Sequence, residues 1–330
     1  MDSNKLNFSV VIPAFIKNIR DIINLDNCIN ALLSCSYAPI EIIIVDDGSI
    51  IPINNTNKKI KIIHQENMGP AYARNVGANN SIGDIIVFVD SDVIVEKNVF
   101  EKLAFTFTNE PEIAAVWGTV SINHNNLNII STYKNLSHYY FTMLLDRYTY
   151  HLTTMFSAVK KEFFFRTGGF DASLKTVSVE DVEFGREIFK NDGIIVLDKT
   201  IKCKHNHNFT FLELIKNDFN KVNFFVYTLL KRKKSKDKTI SFKDKGIKRI
   251  CYYGVGMLVI ILMLFNLLFG EYTFFIWLLF LFLLLEFKFL LLVKKNNGIL
   301  FLFLCVPIMI IERCSAFAGC INGLIKYRIK

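Results

Sequence analysis

The sequence predicts a three-layer α/β/α domain followed by C-terminal transmembrane helices. Three observations carry that expectation. Short runs of Ile and Val alternate with helical patterns through residues 1 to about 230. Those apolar runs are continuous rather than alternating, as in strands of a parallel sheet covered on both faces. A twenty-residue run that is both apolar and uncharged lies at 250–269, and further long apolar runs follow it. Strand–helix alternation of the first kind places helices on both sides of one sheet.

The elements follow in order. "FSVVI" (8–12) reads as a strand, and Ile22, Ile23, Leu25, Ile29, Leu32 and Leu33 mark a helical face over 19–35. "EIIIV" (41–45) is a second strand and "KIIH" (61–64) a short third. "GPAYARNVGANN" (69–80) reads as a helix, "DIIVFV" (84–89) as a strand, "EKNVFEKLAFTF" (96–107) as a helix and "IAAVWGTV" (113–120) as a strand. Residues 121–153 show no recognisable signature.

The strand ends carry the chemistry. "EIIIVDDGSI" runs from a buried strand directly into Asp46 and Asp47, followed by Gly48, which permits a sharp exit turn. A sheet of this class binds ligands beyond the carboxyl ends of its strands. "IIVFVDSDV" repeats the arrangement with Asp90 and Asp92. In extended chain, residues two apart face the same way, so the two carboxylates are aimed at one point. Paired carboxylates without a neighbouring His or Cys suit Mg²⁺ or Mn²⁺, with phosphate oxygens completing the shell. The competing reading is that these Asp residues cap the helix beginning near Glu96. A third pair, Glu180–Asp181, precedes "VEFGREI", whose own pattern is helical; taken alone, it is a charge favoured by a helix N-terminus.

Five elements in order resemble a family 2 glycosyltransferase of the GT-A fold: "VVIPAF" (10–15), "VDDGS" (45–49), "NMGPAYARNVG" (67–77), "VDSD" (89–92) and "GGFDASLKTVSVEDVEFGREI" (168–188). The match covers roughly the first 230 residues, and the ordered set is far more specific than any one motif. The resemblance implies a UDP- or GDP-sugar donor, with Asp47 accepting from the base, Asp46 tying down the loop and the backbone near Pro13 and Ala14 lining the pocket. It implies that Arg74 faces the nucleotide or its phosphates, and that Asp92, assisted by Asp90, ligates the metal. Asp181 is then the general base and Glu180 its partner in the catalytic pair, which implies direct displacement with inversion. If the acceptor is a lipid phosphate, Asp181 instead orients it. His205 and His207 in "KCKHNHNF" are expected close to the diphosphate or the metal, with exposed loop histidines as the alternative. Trp117 reads as a core residue, with sugar stacking as the second possibility.

The C-terminal third points to a membrane. Ile250–Phe269 has no charge over twenty residues; a second run covers Tyr272–Val293, interrupted by Glu286 and Lys288, and a third, Ile299–Ile325, carries Glu312 and Arg313. A span of about 20 residues crosses a hydrocarbon core of about 30 Å. Of the chain's net charge of +9, most sits in the linker 231–249, where ten Lys or Arg and two Asp leave 10 − 2 = +8. A basic flank beside a membrane run marks the cytoplasmic side and suits anionic headgroups. Two to three hydrophobic helices in 250–330 are expected, the first two as a hairpin, giving a multi-pass cell-membrane protein with a cytoplasmic catalytic domain. The N-terminus shows no signal-peptide pattern. No nucleic-acid partner is expected, because the basic charge abuts a membrane run rather than interleaved aromatics. Seven Cys without C-x-x-C spacing read as reduced thiols.

The expected acceptor is a lipid-linked or envelope glycan. A polyprenyl-phosphate sugar synthase is the alternative within the same chemistry. A processive polymerase is disfavoured, because no "QRW"-like run follows residue 205. A nucleotidyltransferase would need a Gly-containing basic loop after the first strand, and "IPAFIKNIRD" has Lys17 and Arg20 but no Gly. A non-catalytic membrane scaffold would leave three repelling acidic clusters without purpose.

Overall fold

The computed structural model describes residues 6–54, 57–122, 127–173, 179–234 and 245–329, with backbone alone at 233–234, 245–251 and 253. The chain divides into two units: residues 1–125 with 142–207, and residues 126–141 with 208–330.

The first unit holds β1 (Phe8–Ala14), α1 (Ile19–Leu33), β2 (Glu41–Asp47), β3 (Ile60–Gln65), α2 (Pro70–Asn79), β4 (Ile85–Val89), β5 (Val93–Val95), α3 (Val99–Asn109) and β6 (Ile113–Val120). After α4 (Ile129–Met143), most of which belongs to the second unit, it adds β7 (Phe156–Lys160), α5 (Lys161–Arg166), α6 (Glu180–Lys190) and β8 (Ile194–His205). The strands form one eight-stranded sheet in the order β3-β2-β1-β4-β7-β6-β8-β5.

The sheet departs from the expected parallel arrangement. β1–β2, β2–β3, β1–β4 and β6–β8 are parallel, but β7 runs antiparallel to both β4 and β6, and β5 antiparallel to β8. A continuous apolar run reports burial on two faces and says nothing about strand direction, so the sequence pattern could not distinguish the two.

Both faces are covered. Val11 lies under α2, where a Cβ on Gly77 would stand 2.3 Å from its side chain. Phe8 has the opposite parity along the strand and meets Phe100 of α3 at 5.3 Å between ring centroids. The α2 side continues into a core of Phe88, Phe164, Phe170, Phe184 and Trp117, so Trp117 is a core residue. Its first helix starts where the chain says it should. Asn18 accepts from the amides of Arg20 and Asp21, and Asp21 reaches back to the cap backbone, completing a capping box.

The second unit is helical: α4, α7 (Phe211–Lys234), α8 (Lys245–Leu268), α9 (Tyr272–Leu285) and α10 (Phe287–Ile329). The expected second apolar run does not form one helix. It divides at Glu286, and the remainder joins the third run as a 43-residue α10, interrupted where Gly298 adopts φ 82. Among the described residues, α10 is the one helix long and apolar enough to cross a membrane by length and composition. Shorter apolar helical stretches are Gly254–Leu268, within α8, and Tyr272–Leu285, which is α9. Residues 235–244 of the basic stretch lie outside the described residues.

Small residues on α10 admit α7. A Cβ on Gly319 would come within 2.4 Å of the Phe219 carbonyl, and one on Gly323 within 2.6 Å of the Asn223 carbonyl. This four-residue spacing of glycines is the usual device for close helix approach in lipid. Charges are buried within the same unit. Arg313 pairs with Glu286 at 2.6 Å and Glu312 at 3.2 Å, and Tyr133 donates its hydroxyl to Glu312. Lys134 pairs with Asp218 and lies 3.7 Å from Glu312.

Candidate functional site

The carboxyl ends of β2, β1 and β4 lie side by side, because these strands are neighbours and parallel. Register fixes the details. Pro13 lies opposite Val45 and Ala14 opposite Asp46. The loops leaving β1 and β2 are then sewn together. The Ile16 amide donates to Ser49 Oγ at 2.8 Å, and the Ile50 amide donates to the Ile16 carbonyl at 2.8 Å. Gly48 turns the chain at φ 76, and a Cβ there would stand 2.9 Å from the Asn67 amide nitrogen.

The two carboxylates that end β2 are buried and divide their work. Asp46 accepts from the Ser49 amide at 2.9 Å and meets His64 Nδ1 at 2.8 Å. Burial alone would raise its pKa, but the bonds from Ser49 and His64 outweigh burial and lower it. Asp47 accepts from Gln65 Nε2 at 2.7 Å and from the amides of Met68 and Gly69 at 2.8 and 2.9 Å. Both residues therefore shape loops, and it is Asp47 that fixes the start of α2. A carboxylate has about four acceptor positions, so the three bonds inside the chain leave Asp47 room for about one further donor.

Asp90 and Asp92 are not aligned by strand alternation as expected. The chain turns at once after β4, with the Val93 amide bonded to the Asp90 carbonyl at 3.1 Å. Asp90 reaches Arg74 Nη2 at 2.8 Å. Asp92 meets His207 Nδ1 at 3.2 Å and lies 3.5 Å from His205 Nε2. The antiparallel pairing of β5 with β8 puts His205 opposite Val93, which is what brings the imidazoles to Asp92. The two aspartates still act on one another. Burial is the main cause raising the Asp90 pKa, with Asp92 adding to it against the pull of Arg74. For Asp92, burial pushes up, but the two histidines prevail and hold it well below the usual carboxylate range.

Arg74 is buried, at 4% exposure, and bridges Asp90 to Glu180 Oε1, the latter at 3.1 Å. Burial opposes its charge, but Asp90, Glu180 and Asp181 together raise its pKa. Glu180 is equally buried and accepts from the Val179 amide through its other oxygen. Asp181 is half-buried in the first turn of α6 and accepts from the Val182 amide at 2.8 Å. The acidic ends of β4 and α6 are thus joined through one guanidinium. The following residue, Asn75, donates to the Phe170 carbonyl and accepts from the Phe170 amide at 2.8 and 2.9 Å. The sequence motif "NMGPAYARNVG" contains Asn75, to which sequence reading assigned no role. Residues 174–178 of the last motif lie outside the described residues.

The ligand set bears on the implied divalent cation. Among the described residues, no group of three or more His, Cys, Asp and Glu is gathered to hold a metal by itself. Asp90 and Asp92 keep exposed side-chain surface, 33% and 19%. Part-exposed carboxylate oxygens fit a hard cation that takes one or two protein ligands and completes its shell with phosphate and water.

Residues 9–167 match the family model described as Glycosyl transferase family 2. An uncharacterized glycosyltransferase of Rickettsia conorii is 38% identical over 104 residues, 30% of this chain and 17% of that protein. A glucosyl-dolichyl phosphate glucuronosyltransferase of Haloferax volcanii is 31% identical over 99 residues, 28% of this chain and 32% of that one. The chain thus spans about a third or less of the length of these relatives. Among solved structures, a mannosyltransferase from Pyrobaculum calidifontis in complex with GDP-Man and Mn²⁺ superposes with a TM-score of 0.53 at 14% identity, over 99% of this chain and 88% of that one. At that identity the likeness shows the fold.

Proposed function

Because residues 9–167 form a family 2 glycosyltransferase domain, we propose that this chain is an inverting, divalent-metal-dependent transferase that moves a sugar from a nucleoside-diphosphate donor to a lipid-linked or envelope glycan acceptor. The observation that carries the proposal is the bridge from Asp90, two residues from Asp92, through Arg74 to Glu180, the neighbour of Asp181. It gathers a leaving-group side and an acceptor side in one domain.

The roles are those the family resemblance implies for these positions. The nucleotide end of the donor is proposed to lie over Pro13, Ala14, Asp46 and Asp47, where the remaining acceptor capacity of Asp47 takes the base imide N–H. Mg²⁺ or Mn²⁺ held by Asp92, with Asp90 and the diphosphate oxygens, would neutralise charge on the departing diphosphate. His205 and His207 hold the Asp92 carboxylate in place. Asp181 accepts the proton of the acceptor hydroxyl as that oxygen attacks the anomeric carbon. One base opposite the leaving group gives inversion. The relative that carries the dolichyl phosphate name and the solved neighbour that carries GDP-Man and Mn²⁺ support the same class of substrates.

A lipid-linked acceptor is favoured over a free glycan by the second unit. An open groove of 660 Å³ lies among Leu127, Ile129, Phe209, Phe211, Leu304 and Ile308. Its walls are mainly apolar, and Leu304 and Ile308 belong to α10, the helix long enough to cross a membrane. The transfer chemistry is proposed for residues 1–230, with 231–249 as a basic juxtamembrane linker on anionic lipid and 250–330 as a multi-pass anchor that keeps the catalytic residues cytoplasmic. In the alternative, a polyprenyl-phosphate sugar synthase, the acceptor is a prenyl phosphate and Asp181 orients an oxygen that is already anionic.

The test is a panel of UDP- and GDP-sugars with Mn²⁺ or Mg²⁺, reading nucleoside diphosphate release with and without lipid-linked acceptors. Chelation by EDTA should abolish release and either cation should restore it. Asp181→Asn should bind donor normally and lose about 10²- to 10⁴-fold in transfer. Transfer at the normal rate by that variant would remove Asp181 from the mechanism.

A further inference from the structure

The position of Arg74 fits poorly with a residue presented to phosphate. The residue is 4% exposed, with one guanidinium nitrogen on Asp90 and another on Glu180. These partners lie 16 and 106 residues away in sequence. The third nitrogen, Nε, is buried without a hydrogen-bond partner, and the group lies 5.7 Å from the Phe170 ring centroid. Phe170 is in turn packed against Phe184 of α6 at 4.4 Å between ring centroids. The neighbouring Asn75 holds the Phe170 backbone by both its amide and its carbonyl. Gly169 at φ 73 leaves no room for a side chain, since a Cβ would stand 2.8 Å from Asn75 Oδ1. Two consecutive residues of α2 therefore hold the chain at Phe170 and again at Glu180. The start of α2 is itself fixed by Asp47.

We propose that Arg74 and Asn75 are positioning residues that form a two-point clamp, setting the N-terminus of α6, and with it Asp181, against the metal-side end of β4. The clamp refines the sugar-transfer reading above and rests on it for the role of Asp181. Glu180 then serves as the anchor of α6 to Arg74, so that Asp181 alone of the pair touches the acceptor. An Arg is required because only a planar fork spans two carboxylates at fixed angles; a Lys ammonium satisfies one and leaves the other buried without a partner.

The clamp is tested by hydrogen exchange and by kinetics on the full chain in detergent. Arg74→Gln and Glu180→Gln should each raise exchange in the amides of residues 180–190 and leave those of 85–89 at the native rate. Both should keep nucleoside-diphosphate affinity within about 3-fold while kcat falls about 100-fold, the scale of a misplacement of about 1 Å. The double variant should be no slower than the worse single one, because both changes break one link. Arg74→Lys preserves the charge and should show a smaller exchange increase and a partial kcat. It keeps the proposal testable if the Gln variant fails to fold. Asn75→Ala should loosen the amides at 169–170 in the same way. A Gln or Lys variant with native exchange at 180–190 would overturn the clamp. So would a loss of nucleotide affinity of about tenfold or more at unchanged kcat, which would return Arg74 to the phosphates. Exchange is read without turnover, so an inactive wild-type protein would sink the sugar-transfer reading and leave the clamp standing.

Discussion

Each unit contains an arginine between two carboxylates, and the two arrangements differ in what they leave exposed. In the second unit, Arg313 lies between Glu286 and Glu312, and all three side chains are 2–3% exposed. In the first, Arg74 lies between Asp90 and Glu180, and a third of the Asp90 side chain still meets solvent. The closed arrangement holds helices together: a charge removed from water is tolerated only when its partners are complete. The open one sits at the carboxyl end of β4, where the chain leaves the sheet and, in the proposed reading, a cation with its phosphate can share the carboxylates. The same three-residue device thus serves assembly in one region and, in the proposed reading, catalysis in the other.

The strongest way to break this comparison is to remove each arginine. Arg313→Ala strands two buried carboxylates and should cost about 3–5 kcal/mol of stability, read as a lowered unfolding midpoint in detergent. If Arg74→Gln destabilised the chain as much, the distinction between closed and open would fail. The next largest effect belongs to the open side. Asp92→Asn should lower sugar transfer about 10²- to 10³-fold at temperatures where the variant is folded, on the scale of losing one preorganised electrostatic group. A folded variant that transferred sugar at the wild-type rate would remove Asp92 from the site.

A smaller effect tests the helix contact. Gly319→Leu forces a side chain into the Phe219 carbonyl and should cost about 1–3 kcal/mol, without changing nucleotide binding. The smallest concerns Asp46, whose pKa is lowered in the folded state. A depressed carboxylate pKa contributes stability above its unfolded value of about 3.9 and loses it as pH falls through the folded value. Asp46→Asn should therefore be less stable than wild type by about 1 kcal/mol at pH 7, and the gap should close progressively below about pH 3.9. A gap that persisted in acid would trace the cost to packing.

Much of the first unit was legible in the chain because its signals are local. The "EIIIV" and "IIVFV" runs are strands at nearly the expected places, and their acidic exits lie at the carboxyl ends of parallel neighbours. Strand direction was not legible: β7 inserts antiparallel between β4 and β6, and apolar content is the same either way. The partners of Asp90 and Asp92 were also hidden, since a turn where extended chain was expected sends one to Arg74 and the other to the histidines. The helix Phe211–Lys234 is amphipathic, and its apolar face does not say which surface it will meet. Only the fold sets it against Gly319 and Gly323 of α10.

The sequence by itself determined the strand–helix alternation, the acidic residues at strand ends and the apolar C-terminal third, because each depends on residues adjacent in the chain. Tertiary structure decided which carboxylate meets which cation. Arg74 reaches Glu180 across 106 residues of sequence and Arg313 reaches Glu286 across 27. Ion pairing is selected by the low-dielectric position each side chain finally occupies, and no pattern in the chain encodes that position.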